Sequence, residues 1–186
     1  MLHKVLDFLK LRLIETSGLI ILSFSIFYLY SVLTYSPENA TLVTPGKTDD
    51  FFLINYSFYI ADFLLQAFGL VCFLLFVNLF IWSWLIIIKK AVSNITIKLL
   101  FIVLYLCLFT FGLKILLNQN FWLPDNGNGG FLGAYLINII PLEFYKYNIA
   151  FAYSSIVTGF VFFIFSLGLN FQQWMAIFNK MIIILI

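Results

Sequence analysis

The chain has 186 residues, of which 63% are apolar and only 10% charged, with a formal net charge of +2. Soluble domains carry about a quarter charged residues, so this composition excludes a soluble globular protein. The apolar runs do not alternate with polar residues as the strands of a membrane barrel would. What remains is an all-α membrane protein of one domain, a bundle of spanning helices that satisfies its own backbone hydrogen bonds.

Residues Met1 to Ile14, MLHKVLDFLKLRLI, place Leu2, Val5, Leu6, Leu9 and Leu13 at helical spacing, with Lys4, Asp7 and Lys10 on the other side. This predicts either a short amphipathic helix on the membrane surface or a plain charged flank, running into the first span at about residues 14–35. Tyr28, Tyr30 and Tyr35 then suit an interfacial aromatic belt. No small-residue cleavage site follows, so the span reads as uncleaved.

After a polar connection with Pro37, Pro45 and Gly46 comes the longest apolar run, residues 60–88. As one straight helix it would measure roughly 43 Å. That exceeds a hydrocarbon core of about 30 Å, so its first turns project or the helix tilts. A carboxylate at mid-membrane costs about 2.5–3.5 kcal/mol or more. Projection therefore explains Asp62, which a first-turn position would also favour through the helix dipole. The run closes on Trp82, Trp84, Lys89 and Lys90.

A short polar hairpin leads to a third span at residues 98–117, with Lys114 near its end and able to snorkel outward. In the next connection lies Asn126-Gly127-Asn128-Gly129-Gly130, expected as a flexible turn. It feeds an apolar segment at residues 130–140, too short to span and so interfacial or re-entrant. The fourth span covers residues 149–169. The apolar end Met181–Ile186 reads as a chain cut off within a longer element.

Orientation follows from the basic flanks. With the N-terminus inside, Lys4, Lys10, Arg12, Lys89, Lys90, Lys98 and Lys180 face the cytoplasm, against Lys47, Lys114 and Lys146 outside. Both termini are expected inside.

No catalytic constellation is legible. There is no phosphate loop, the single histidine (His3) stands alone, and Cys72 and Cys107 read as small apolar filler rather than a disulfide or metal site. Residues Gly127–Gly133 miss the spacing of a dinucleotide loop. Asn39-Ala40-Thr41 and Asn55-Tyr56-Ser57 match a glycosylation sequon, a pattern short enough to arise by chance. Asn78 is expected to hydrogen-bond a neighbouring helix rather than line an ion path. No cofactor and no metal are expected.

Several stretches resemble one family. Arg12-x-x-Glu15-x-x-Gly18 entering the first span, Leu33-Thr34-Tyr35-Ser36-Pro37 at its exit, Ala61-Asp62-Phe63-Leu64-Leu65-Gln66-Ala67-Phe68-Gly69, and Gly129-Gly130-Phe131-Leu132-Gly133 occur in the order seen in the membrane domain of FtsK/SpoIIIE-type DNA translocases. The chain departs from that pattern at Asn55–Ile60, where the family usually has glycines, and it lacks a proline in the second span.

The resemblance implies an N-terminal anchor in the bacterial cytoplasmic membrane at the division septum. It would contact other division-site membrane proteins, assemble as a homo-oligomer, and reach DNA only through a downstream ATPase motor outside these residues. The anchor itself would not be an enzyme. Arg12, Glu15, Gly18, Asp62, Gln66, Gly69, Gly130 and Gly133 are its motif positions, expected to act in helix starts, close packing and turns more than in partner contact. Two other readings are open from the residues: a small four-span transporter or channel subunit, and a bundle assembled around a shared pore.

Overall fold

In a computed structural model the described residues are 2–36, 38, 52–89, 94–117, 127–139, 148–170, 172–175 and 179. The expectations for Pro37, Pro45, the Asn39 sequon, Lys90, Lys180, the charges of the connecting loops and Met181–Ile186 fall outside them. The described chain is helical: α1 (Leu2–Leu33), α2 (Phe52–Phe68), a 3-10 turn (Gly69–Val71), α3 (Cys72–Lys89), α4 (Ile95–Leu116), α5 (Gly130–Ile139) and α6 (Asn148–Leu167). Four stretches are long and apolar enough to cross a membrane: Val5–Leu33, Asn55–Ile88, Ile95–Leu116 and Ile149–Leu167.

Helix α1 has 32 residues and runs uninterrupted for about 48 Å. The run expected as one straight helix is instead broken. Gly69 takes φ +60, the left-handed region that an α-helix of L residues cannot propagate. The Leu70 N–H, which would otherwise point back along α2, donates to the Asn128 carbonyl at 3.0 Å. The span through α2 and α3 is thus two helices joined by a turn, and the cause is a backbone partner from a distant loop.

The bundle has two halves. In one, α1 packs on α2 and α3 around Tyr28, Val32, Tyr35, Ala61, Leu65 and Cys72. In the other, α4 lies antiparallel along α6 in the most extensive helix pairing of the fold. Gly112 accepts Ile156 and Gly159 accepts Phe109, so small residues set the close approach expected of membrane helices. Phe101 stacks on Phe162 at 5.7 Å, and Tyr105 meets Phe163 edge-on at 5.4 Å.

Hydrogen bonds tie helices together in the interior, Ser155 Oγ of α6 donating to the Leu108 carbonyl of α4 at 2.7 Å among them. Asn78 of α3 donates to the Ser166 hydroxyl of α6, as its position in the span led one to expect. Trp82 Nε1 donates to the Ser166 carbonyl at 2.9 Å. Tyr28 Oη donates to the Cys72 carbonyl at 2.7 Å, taking up an acceptor beside the break in the span.

At the other end of α4, Asn94 adopts a left-handed conformation (φ 50) and its carbonyl receives the N–H groups of Ile97 and Lys98. Lys98 is only 7% exposed, and its side chain lies over Gly168, the positive-φ residue that terminates α6. A cation at a helix C-terminus is favoured by the helix dipole, which accounts for a buried lysine in so apolar a protein.

Candidate functional site

The motif positions gather at two ends of the bundle. At one end is a backbone junction between α2 and the turn that starts α5. Gly69 and Gly130 both have positive φ, at +60 and +65. A Cβ on Gly69 would collide with the Asn128 carbonyl. One on Gly130 would come within 2.6 Å of both the Ala67 carbonyl oxygen and the Gly69 nitrogen. Only residues without side chains allow this approach.

One turn further along α5, Gly133 faces the Thr110 carbonyl of α4, and its N–H donates to the Gly129 carbonyl at 3.2 Å. Gly129 lies against Thr110 and the Cβ of Lys114. The junction therefore joins α2, α4 and α5 through glycine.

Asn128 is the residue the sequence reading missed. It is 1% exposed, and its Nδ2 donates to the Leu117 carbonyl at 3.1 Å, satisfying an acceptor that the end of α4 leaves open. Its own carbonyl receives Leu70 N–H. One asparagine clamps the end of α4 to the break between α2 and α3. The flexible turn expected here is corrected: Gly127, Asn128, Gly129 and Gly130 are all buried. The glycines serve a rigid close contact, and their recurrence with asparagine was the only signal in the sequence.

Asp62 and Gln66 stand on α2, one turn apart and half-buried. Asp62 lies well inside α2, which starts at Phe52, so the first-turn reading is corrected. Its carboxylate is held by a hydroxyl instead: Tyr35 Oη at the end of α1 donates to Asp62 Oδ1 at 3.1 Å. The two motifs that contain these residues, far apart in the chain, meet through this bond.

Arg12, Glu15 and Gly18 lie on α1 at the opposite end from Tyr35. Arg12 Nη1 pairs with Glu15 Oε2, and the guanidinium sits 5.1 Å from the Phe8 ring centroid. Gly18 touches the end of α3, where an added Cβ would meet Ile87 Cγ1 at 2.8 Å and Ile86 Cγ2 at 3.0 Å. Neither cluster brings a nucleophile beside a base. Among the described residues no three of His, Cys, Asp and Glu come close enough to hold a metal ion. The arrangement can bind helix to helix, and its chemistry is hydrogen bonding and close packing.

Compared with known families, residues 10–181 match the model of the 4TM region of DNA translocase FtsK/SpoIIIE. No curated protein and no solved structure gives a significant match.

Proposed function

The chain belongs to the family of the 4TM region of FtsK/SpoIIIE DNA translocases, and from that membership we propose that it is the septal anchor of a cell-division DNA translocase. In this reading it contacts other division-site membrane proteins and tethers a cytoplasmic ATPase motor that moves chromosomal DNA. It is a multi-pass membrane region, not the motor. The family match over residues 10–181 is the observation that carries the proposal. The meeting of Gly69 with Gly130, and of Tyr35 with Asp62, supports it by giving motif residues a shared structural purpose.

Both termini face the cytoplasm in this account, on the strength of Lys10, Arg12, Lys89 and Lys98 at one end of the bundle. Helix α5 is interfacial or re-entrant. Its first residue packs beside Gly69, where protein surrounds its backbone. Homo-oligomerisation belongs to the same proposal, and DNA is reached only through the motor. The interior polar groups Asn78, Trp82 and Ser166 bond helix to helix, which favours an anchor over a permeation path.

The test is localisation. A fluorescent fusion of the 186-residue chain, expressed in dividing bacterial cells, is expected to concentrate at the septum. An even distribution around the cell membrane would remove the septal role.

A further inference from the structure

Helix α1 outruns the bundle. Its first buried residue is Gly18, and every described side chain from Val5 to Leu13 is exposed. The stretch from Val5 to Leu13 is about 12 Å of helix whose described side chains are all exposed. It is not polar: Val5, Leu6, Leu9 and Leu13 are 51%, 55%, 50% and 71% exposed.

These four fall within an arc of about 100° on the helix, the width of a face that seeks an apolar surface. Lys10 lies just beyond one edge of that arc and Arg12 just beyond the other, while Asp7 lies on the far side. Arg12 gives one nitrogen to Glu15 and keeps its other N–H donors. Phe8 and Leu11 interrupt the far side, Phe8 beneath the Arg12 guanidinium.

From this pattern we infer that the Val5–Leu13 face docks flat on an anionic lipid surface. An apolar stripe with a cation along each border sets the stripe among acyl chains and the cations among lipid phosphates. A second copy laid along the same face would meet cations on both borders of the seam and no acid to pair with them. Charge complementarity therefore selects the lipid.

For that face to lie flat, α1, continuous from Leu2 to Leu33, has to bend on the membrane, and Thr16–Gly18 is where its side chains favour bending. Thr16 Oγ1 donates to the Arg12 carbonyl and Ser17 Oγ to the Ile14 carbonyl, both at 2.7 Å. Such side-chain bonds to the preceding turn bend helices. Gly18 adds a position without a side chain, where α1 lies against Ile86 and Ile87 of α3. The inference is independent of the septal role: it concerns how the chain meets its own membrane.

The test uses the full chain in vesicles, with the photo-crosslinking residue p-benzoylphenylalanine at position 6, 9 or 13, or at position 7 on the far side. All four are exposed sites, so folding does not depend on them. In phosphatidylcholine vesicles containing phosphatidylglycerol, lipid adducts are expected at 6, 9 and 13, several-fold above those at 7. They should fall several-fold in phosphatidylcholine alone or with Lys10→Gln and Arg12→Gln together. Crosslinked dimers from position 9 would overturn the inference in favour of a second copy. Equal adducts at 7 and 9 would mean immersion on all sides and overturn it. So would equal yields in the two vesicle types, or no adduct at any position.

Discussion

Gly69 and Gly130 approach so closely that a single methyl group on Gly130 would stand 2.6 Å from the Gly69 nitrogen. Each also occupies the left-handed region of backbone space. Alanine at either position therefore meets two penalties: about 1–2 kcal/mol for the backbone conformation, and a collision with backbone atoms that cannot rotate away. Gly18→Ala is the control, since its nearest neighbours are isoleucine side chains that can shift. Thermal unfolding in detergent is expected to show a clear loss of Tm for Gly69→Ala and Gly130→Ala and a smaller one for Gly18→Ala. Equal Tm values for all three would contradict the junction.

The Tyr35–Asp62 bond joins the end of α1 to α2. Hydrogen bonds to charged groups contribute about 1.5–3 kcal/mol, and partial exposure of Asp62 reduces this to about 1 kcal/mol. Tyr35→Phe and Asp62→Asn should each destabilise, and the double variant should cost less than the sum. Strict additivity would show that the two do not interact. For assembly or septal localisation, Asp62→Ala is expected to be more damaging than Asp49→Ala.

Asn78 and Ser166 hold α3 to α6. Interhelical side-chain bonds in membranes average about 0.6 kcal/mol and reach about 1.7 kcal/mol. Asn78→Ala with Ser166→Ala, measured as a double-mutant cycle, is expected to give a coupling in that range. A value near zero would leave Asn78 without its structural role.

Topology is tested by labelling from outside intact cells with a membrane-impermeant maleimide. Ser36→Cys, just past α1, should react, and Asn94→Cys, just before α4, should not. Of the two native cysteines Cys72 is fully buried and Cys107 only part-buried, so the labelling is done in a Cys107→Ala background. The reverse pattern would invert the proposed orientation.

The spans were legible in the sequence because lipid imposes a simple rule, a long apolar run, that no tertiary contact overrides. Asn78 was legible for a related reason: a polar side chain in such a run must find a partner on another helix. The break at Gly69 was not legible. A glycine in a span ordinarily signals close packing, and what unwinds the helix here is the Asn128 carbonyl, from a loop far along the chain. Asp62 was read against the helix dipole because the start of α2 at Phe52 lies within a stretch whose pattern does not mark a helix end. The buried Lys98 was hidden likewise, since its position over Gly168 depends on α4 and α6 running antiparallel. The motif residues and their family resemblance were legible, while the meeting of Gly69 with Gly130 and of Tyr35 with Asp62 required the fold.

Central to the proposed septal role is that the glycine junction holds this anchor in the fold it needs at the division site. The direct measurement is the midcell fraction of fluorescent fusions in dividing bacterial cells, comparing the native chain, Gly130→Ala and Gly18→Ala at matched membrane levels. The account predicts midcell enrichment for the native chain and Gly18→Ala, and an even membrane distribution for Gly130→Ala. An even distribution of the native chain, or midcell enrichment of Gly130→Ala equal to it, would contradict it.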